Sequence, residues 1–378
     1  MKKIAILILL LCTATIFYLI GIYTGKSNLF TLEILKKYQN GIIRDNKPLI
    51  ETPEKKYSEL MDLAFTDSLI QENEQILPAV RSIDDLEKVL RSSLNNIDEF
   101  YSFFHNIRIV EYKMRSKNIL EIVYEISCQK RSAFAYMKGE SNYNLGFLVI
   151  PGSGQNQGYE MTMDYPGNYQ KNILNILKSY CDTYLLIKLN QGNYAIHNGK
   201  RKLNKNFIVN YYLNRGGSYS ARYIEDALVL VKYIQEKYKY SGISGLSQGG
   251  EAALISSLFS KPNYAIISSG YTVLTDKIEY ASHNQIIIPG IQNFINSNGV
   301  RDSIARSNTK WLFTWGSKES AVYGIEARDS LTLKKFRLLP NVTCVIHNHG
   351  HIYPDSAIKD FMQINQNRDK DEAKNLKR

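Results

Sequence analysis

Gly245-Leu246-Ser247-Gln248-Gly249-Gly250 sets one hydroxyl among small residues, directly after an apolar segment and directly before Glu251-Ala252-Ala253-Leu254-Ile255. An apolar run followed by a helix-forming one predicts a strand ending at 246 and a helix over 248–260. A serine at so sharp a strand-to-helix turn is pushed out at the end of a sheet, and its small neighbours are what the tight backbone there demands. The helix start adds backbone N–H groups and the positive end of its dipole, which favour negative charge developing beside the hydroxyl. The chemistry served is nucleophilic attack by Ser247. A phosphate-binding turn uses similar residue types, but the flanking strand and helix together favour the nucleophile.

A second group is His347, His349 and His351. Spaced by two, they share one face of a strand and have the residue type of a metal site. No Cys or carboxylate cluster adjoins them in sequence, so neither a metal nor any other cofactor is expected. His105, His197 and His283 read as surface or packing residues.

These groups need a scaffold, and the chain supplies one from residue 108 onward. Apolar patterns over 109–114 and 119–126 flank Arg115-Ser116-Lys117-Asn118 and predict a hairpin, with a third short strand over 132–137. The run 145–150 is apolar on both faces, as a central strand buried between helices must be. Helix and strand patterns then alternate: a helix near 169–180, a strand over 183–189, a helix over 219–238, the turn at Ser247 with its helix, and a strand over 264–269. A strand over 311–315, a helix near 322–335, a strand over 342–346 and a last helix from Asp355 complete the series. Such alternation predicts an α/β architecture, a mostly parallel sheet with helices on both faces.

With Gly245-Leu246-Ser247-Gln248-Gly249 between strand and helix, the chain resembles the α/β-hydrolase superfamily over 108–365. The resemblance implies a nucleophile, an acid and a histidine in that order along the chain. Gly316-Ser317-Lys318-Glu319 follows the 311–315 strand and makes Glu319 the acid, where Asp is commoner. Gly350-His351-Ile352-Tyr353-Pro354, just before the last helix, makes His351 the base. Fallbacks are Asp276 for the acid and His349 for the base. The resemblance also implies an oxyanion hole from the backbone N–H of Gln248 and of Ser153, the latter in Pro151-Gly152-Ser153-Gly154, which lacks the usual leading histidine.

The remainder of the 378 residues bounds location and partners. Residues 4–23 carry no charge after Met1-Lys2-Lys3, and about twenty helical residues span roughly 30 Å, the thickness of a bilayer core. No convincing cleavage site follows, so 1–26 reads as a signal anchor with a cytoplasmic N-terminus and a periplasmic or extracellular domain. Residues 27–107 read as a helical stalk or cap, with Ile83, Leu86, Leu90, Leu94 and Ile97 on one face. Residues 366–378 read as a polar tail. The net charge of +11 is spread without a basic-aromatic patch, which excludes a nucleic-acid partner. Cys12, Cys128, Cys181 and Cys344 form neither a disulfide framework nor a zinc motif.

The expected activity is that of a serine hydrolase cleaving an ester through an acyl-enzyme, on an acyl ester of a small molecule, glycan or lipid. Amide hydrolysis and acyl transfer use the same triad and stay open. So does a catalytically inactive hydrolase-like binding or assembly protein. The sequence leaves oligomeric state open.

Overall fold

The computed structural model describes residues 107–116, 119–125, 129–153, 157–162, 168–170, 172–187, 209–210, 212–213, 219–270, 299–319 and 336–375. The signal-anchor and stalk expectations, the helix near 322–335 and Asp276 fall outside these residues. Among the described residues no helix is long and apolar enough to cross a membrane.

Among the described residues nine strands form one sheet in the order β1-β2-β3-β5-β4-β6-β7-β8-β9. β1 (Arg108–Ser116), β2 (Ile119–Glu125) and β3 (Gln129–Met137) pair antiparallel. β3 also meets β5 (Asp182–Leu186) antiparallel. From β5 onward every pairing is parallel, through β4 (Leu145–Ile150), β6 (Tyr240–Leu246), β7 (Tyr264–Ser268), β8 (Lys310–Gly316) and β9 (Val342–His347). The mostly parallel sheet is the one the helix–strand alternation predicts.

Side-chain alternation assigns each face of that sheet to different helices. Leu148 and Ile150 of β4 join one core with α3 (Tyr219–Lys237) and α4 (Gln248–Ser260). Leu145, Phe147 and Val149 join another with α2 (Asn172–Lys178) and α6 (Asp355–Asn375). Two short helices, α1 (Gln157–Thr162) and α5 (Gly299–Ala305), complete the described set. β4 is buried along its whole length, which is why it reads as a continuous apolar run. Its neighbour β6 has a glycine at 242 because Phe147 lies across it there: a Cβ on Gly242 would stand 2.1 Å from the Phe147 ring. A buried polar cluster ties α3 to β2, with Arg222 paired to Asp226 at 2.5 Å and donating to Tyr124 Oη at 2.6 Å.

Three boundaries differ from expectation. β5 begins at Asp182, whose carboxylate receives Gly139 N–H at 2.8 Å and the hydroxyls of Tyr136 at 2.9 Å and Tyr238 at 2.7 Å, and it ends at Leu186, where its pairing with β3 ends. α2 starts at Asn172, and Tyr169 and Gln170 form a turn in which Asn168 Oδ1 accepts Gln170 N–H at 2.9 Å. The polar tail is helical as far as Asn375. Its Asn365 and Gln366 are buried, Gln366 Nε2 donates to Tyr180 O at 3.3 Å, and Asp369 accepts Tyr143 Oη–H at 2.6 Å and Tyr264 Oη–H.

Candidate active site

The parallel strands end on one edge of the sheet, and the residues singled out in the sequence follow those strand ends. Ser247 follows β6 directly and opens α4, with φ 59° and ψ −122°, in backbone territory that side-chain-bearing residues rarely occupy. Such a conformation costs about 1–3 kcal/mol and persists only where surroundings impose it. Here Ser247 N–H donates to Ser268 O and Glu251 N–H donates to Ser247 O, both at 2.9 Å. The glycines are required by contact: a Cβ on Gly245 would lie 1.9 Å from Gly249 O, and one on Gly249 would lie 2.1 Å from Ile150 O. Ser247 does not cap its own helix with its side chain.

Glu319, the acid expected from the sequence, comes from the next strands. Glu319 lies three residues beyond β8 with its side chain fully buried. Its Oε1 accepts Ser269 Oγ–H at 2.6 Å and Gly316 N–H at 3.0 Å. The turn holding it is pressed on the loop after β9, since Ser317 N–H donates to His347 O at 2.8 Å and Lys318 N–H to His349 O at 3.1 Å. A Cβ on Gly316 would come within 2.4 Å of the carbonyl oxygens of His349 and Gly350. That loop sets His351 Nδ1 at 3.6 Å from Glu319 Oε1. The separation is longer than a hydrogen bond and within ion-pair reach. Tyr169 flanks the His351 ring, with centroids 6.0 Å apart.

The other two histidines occupy different positions. His347 is buried, and burial pushes its pKa below the ordinary imidazole value, with Glu319 acting against that shift and His349 adding to it. His349 is exposed, its ring 5.8 Å from that of His347. The ion-pair contact with Glu319 is made by His351. Among the described residues no cluster of three or more His, Cys, Asp or Glu side chains could hold a metal ion.

The loop after β4 brings Ser153 to the same edge. Ile150 O lies against Gly249, and a Cβ on Gly152 would stand 3.1 Å from Leu246 O, so this loop touches the turn that carries Ser247. Gly152 N–H donates to Gln170 Oε1 at 2.7 Å. Gln248, the first residue of α4, is buried.

Sequence reading thus named Ser247, Glu319, His351, Ser153 and Gln248, and the fold collects all five at the carboxyl ends of β4, β6, β8 and β9. It missed Ser269 and Gln170. Ser269 became visible only through the β7–β8 register, which pairs Ser268 with Thr314 and lets Ser269 N–H donate to Thr314 O at 2.9 Å. Gln170 sits in a polar turn that carries no motif.

No family model and no curated protein sequence matches the chain. Solved structures do. The chain is similar to acetyl xylan esterase 1 from Thermoanaerobacterium sp. JW/SL YS485 at 14% identity and a TM-score of 0.42, over 74% of this chain and 98% of that one. It is similar to a carbohydrate esterase family 15 glucuronoyl esterase from Caldicellulosiruptor kristjansonii at 12% identity and a TM-score of 0.43, over 75% of this chain and 85% of that one. Est1E from Butyrivibrio proteoclasticus matches at 13% identity and a TM-score of 0.38, over 68% of this chain and 98% of that one. At identities of 12–14% and TM-scores below 0.5, the chemistry rests on the residues themselves.

Proposed function

We propose that this chain is a serine hydrolase of the α/β-hydrolase kind that cleaves carboxylic esters through an acyl-enzyme on Ser247. The observation that carries the reading is the strained Ser247 turn on the same sheet edge as the Glu319–His351 pair. A serine hydroxyl needs a base to become nucleophilic near neutral pH. His351 takes the Oγ proton as Oγ bonds the ester carbon, and Glu319 orients the imidazole and balances its positive charge. The oxyanion is met by the N–H groups of Gln248 and Ser153. Collapse breaks the ester C–O bond, and the alcohol leaves with the proton from His351. Water then repeats the sequence on the acyl-enzyme, releasing the acid and restoring Ser247.

We place the domain on the outer side of a membrane, behind the uncharged segment 4–23, with acyl groups on surface glycans or lipids as substrates. Cysteine accessibility at positions beyond 26 tests this; a domain shielded on the cytoplasmic side overturns it.

The 3.6 Å gap between His351 and Glu319 favours one second reading, a hydrolase-like binding or assembly protein without turnover. A fluorophosphonate probe separates the two. Wild type is expected to label and Ser247→Ala is not. Failure of the wild type to label, beside serine hydrolases that do, overturns the enzyme reading. With activity established, p-nitrophenyl esters against the matching anilides decide ester over amide.

A further inference from the structure

We infer that Gln170 is the positioning residue of the oxyanion loop, fixing Gly152 so that the next peptide N–H, that of Ser153, faces the reacting carbonyl. The inference rests on the serine hydrolase reading above. In this chain the loop reads Pro151-Gly152-Ser153-Gly154, and small residues of this kind do not by themselves fix a backbone. An oxyanion donor stabilises the transition state only if it is already aimed, because reorganisation during the reaction forfeits its advantage.

Gln170 meets this requirement from the side. It is fully buried, and its Oε1 accepts Gly152 N–H at 2.7 Å. Its Nε2 donates to Gln157 Oε1 at 3.0 Å. Gln157 Oε1 also accepts Asn168 Nδ2–H at 3.1 Å, while Asn168 donates equally to Glu160 Oε2 at 3.1 Å. Asn168 Oδ1 in turn holds Gln170 N–H at 2.9 Å. The amide is therefore fixed at both ends and at its backbone, with its acceptor directed at the loop. The loop also meets the turn that carries Ser247: a Cβ on Gly152 would stand 2.9 Å from Gln170 Nε2 and 3.1 Å from Leu246 O. Burying an amide this completely is costly unless every polar atom is used, and here the network uses them.

The test compares Gln170→Met, which keeps length and loses the acceptor, with Gln170→Glu, which keeps an oxygen for Gly152 N–H, in the full-length chain. On a p-nitrophenyl ester, Gln170→Met is expected to lower kcat about 10- to 100-fold with KM within about threefold, the signature of a misaimed oxyanion donor. Inhibition by a trifluoromethyl ketone, whose adduct carries the oxyanion, weakens by a similar factor. Gln170→Glu keeps an acceptor for Gly152 N–H but gives up the donor to Gln157 and adds negative charge beside the oxyanion. It is expected to restore the loop's hydrogen-exchange protection and not kcat. Hydrogen exchange of the peptide covering 145–153 reads the loop without turnover and is expected to rise in Gln170→Met alone. Unchanged exchange overturns the inference whatever the activity. So does a Gln170→Met enzyme with wild-type kcat, or one whose ketone affinity is intact. If wild type neither labels with fluorophosphonate nor turns over while exchange still rises in Gln170→Met, the serine hydrolase reading and the oxyanion role fall together, and the loop anchor alone remains.

Discussion

Ser269 Oγ donates to Glu319 Oε1 at 2.6 Å, across fifty residues of chain, from a backbone that has itself turned left-handed at φ 51°. The Glu319 carboxylate is therefore held by a residue of the neighbouring strand end as well as by its own turn. Ser269 is 1% exposed, so water cannot replace the donated bond. Two substitutions separate its roles. Ser269→Gly removes the hydroxyl and suits the left-handed backbone, whereas Ser269→Ala removes the hydroxyl and keeps the strain. Both are expected to reduce kcat about tenfold, a loss of the order of one hydrogen bond to a charged group. Thermal melts are expected to rank Ser269→Gly above Ser269→Ala. Full activity in both would remove Ser269 from the positioning of Glu319.

Ser247 carries the same kind of strain, at φ 59°. The conformation suits glycine, so Ser247→Gly is expected to abolish fluorophosphonate labelling and raise stability by about 1 kcal/mol, while Ser247→Ala abolishes labelling without that gain. Urea denaturation reads the difference. Equal stability in the two variants would mean that the turn stores no strain for the nucleophile.

What the sequence disclosed and what it hid divide along a physical line. The turn at Ser247 was legible because its glycines answer a contact made within five residues, Gly245 against Gly249. Glu319 was legible because its own turn places it, through Gly316 N–H. The parallel sheet was legible because β4 and β7 are buried on both faces and read as apolar runs. Ser269 and Gln170 act on groups 50 and 18 residues away, through side chains whose types have no local period to betray them. The length of α6 was hidden for a related reason. It runs on through polar residues, and the partners of Gln366 and Asp369 are Tyr180, Tyr143 and Tyr264, which lie far from them in the chain.

Burial of His347 gives the fold an acid-side weakness. Its folded pKa lies below the ordinary value of about 6.5, so between those two values the unfolded chain binds the extra proton. Stability contributed by neutral, buried His347 is present above about pH 6.5 and is lost as pH falls below it. Melting temperature is expected to drop between pH 7.5 and pH 5 in the wild type and to drop less in His347→Phe. Parallel pH curves for the two proteins would remove His347 as the cause.

Asp369 tests whether stability and chemistry separate along the sheet. It accepts the hydroxyls of Tyr143 and Tyr264, and Tyr264 opens β7 at the edge opposite the one where Ser247, Glu319 and His351 gather. Burial, followed by the bond to Asp369, pushes both phenols well above their ordinary range, so they stay neutral donors at any working pH. Removing the shared acceptor leaves two partly buried hydroxyls with one bond fewer each. Asp369→Ala is expected to cost about 1–3 kcal/mol in urea denaturation, the range for losing a buried hydrogen bond to a charged group. At a temperature where the variant remains folded, its kcat and KM on a p-nitrophenyl ester are expected to stay within about twofold of wild type, since additivity holds for distant sites. Loss of activity in a fully folded Asp369→Ala would show that the last helix reaches the active edge through the strands it clamps.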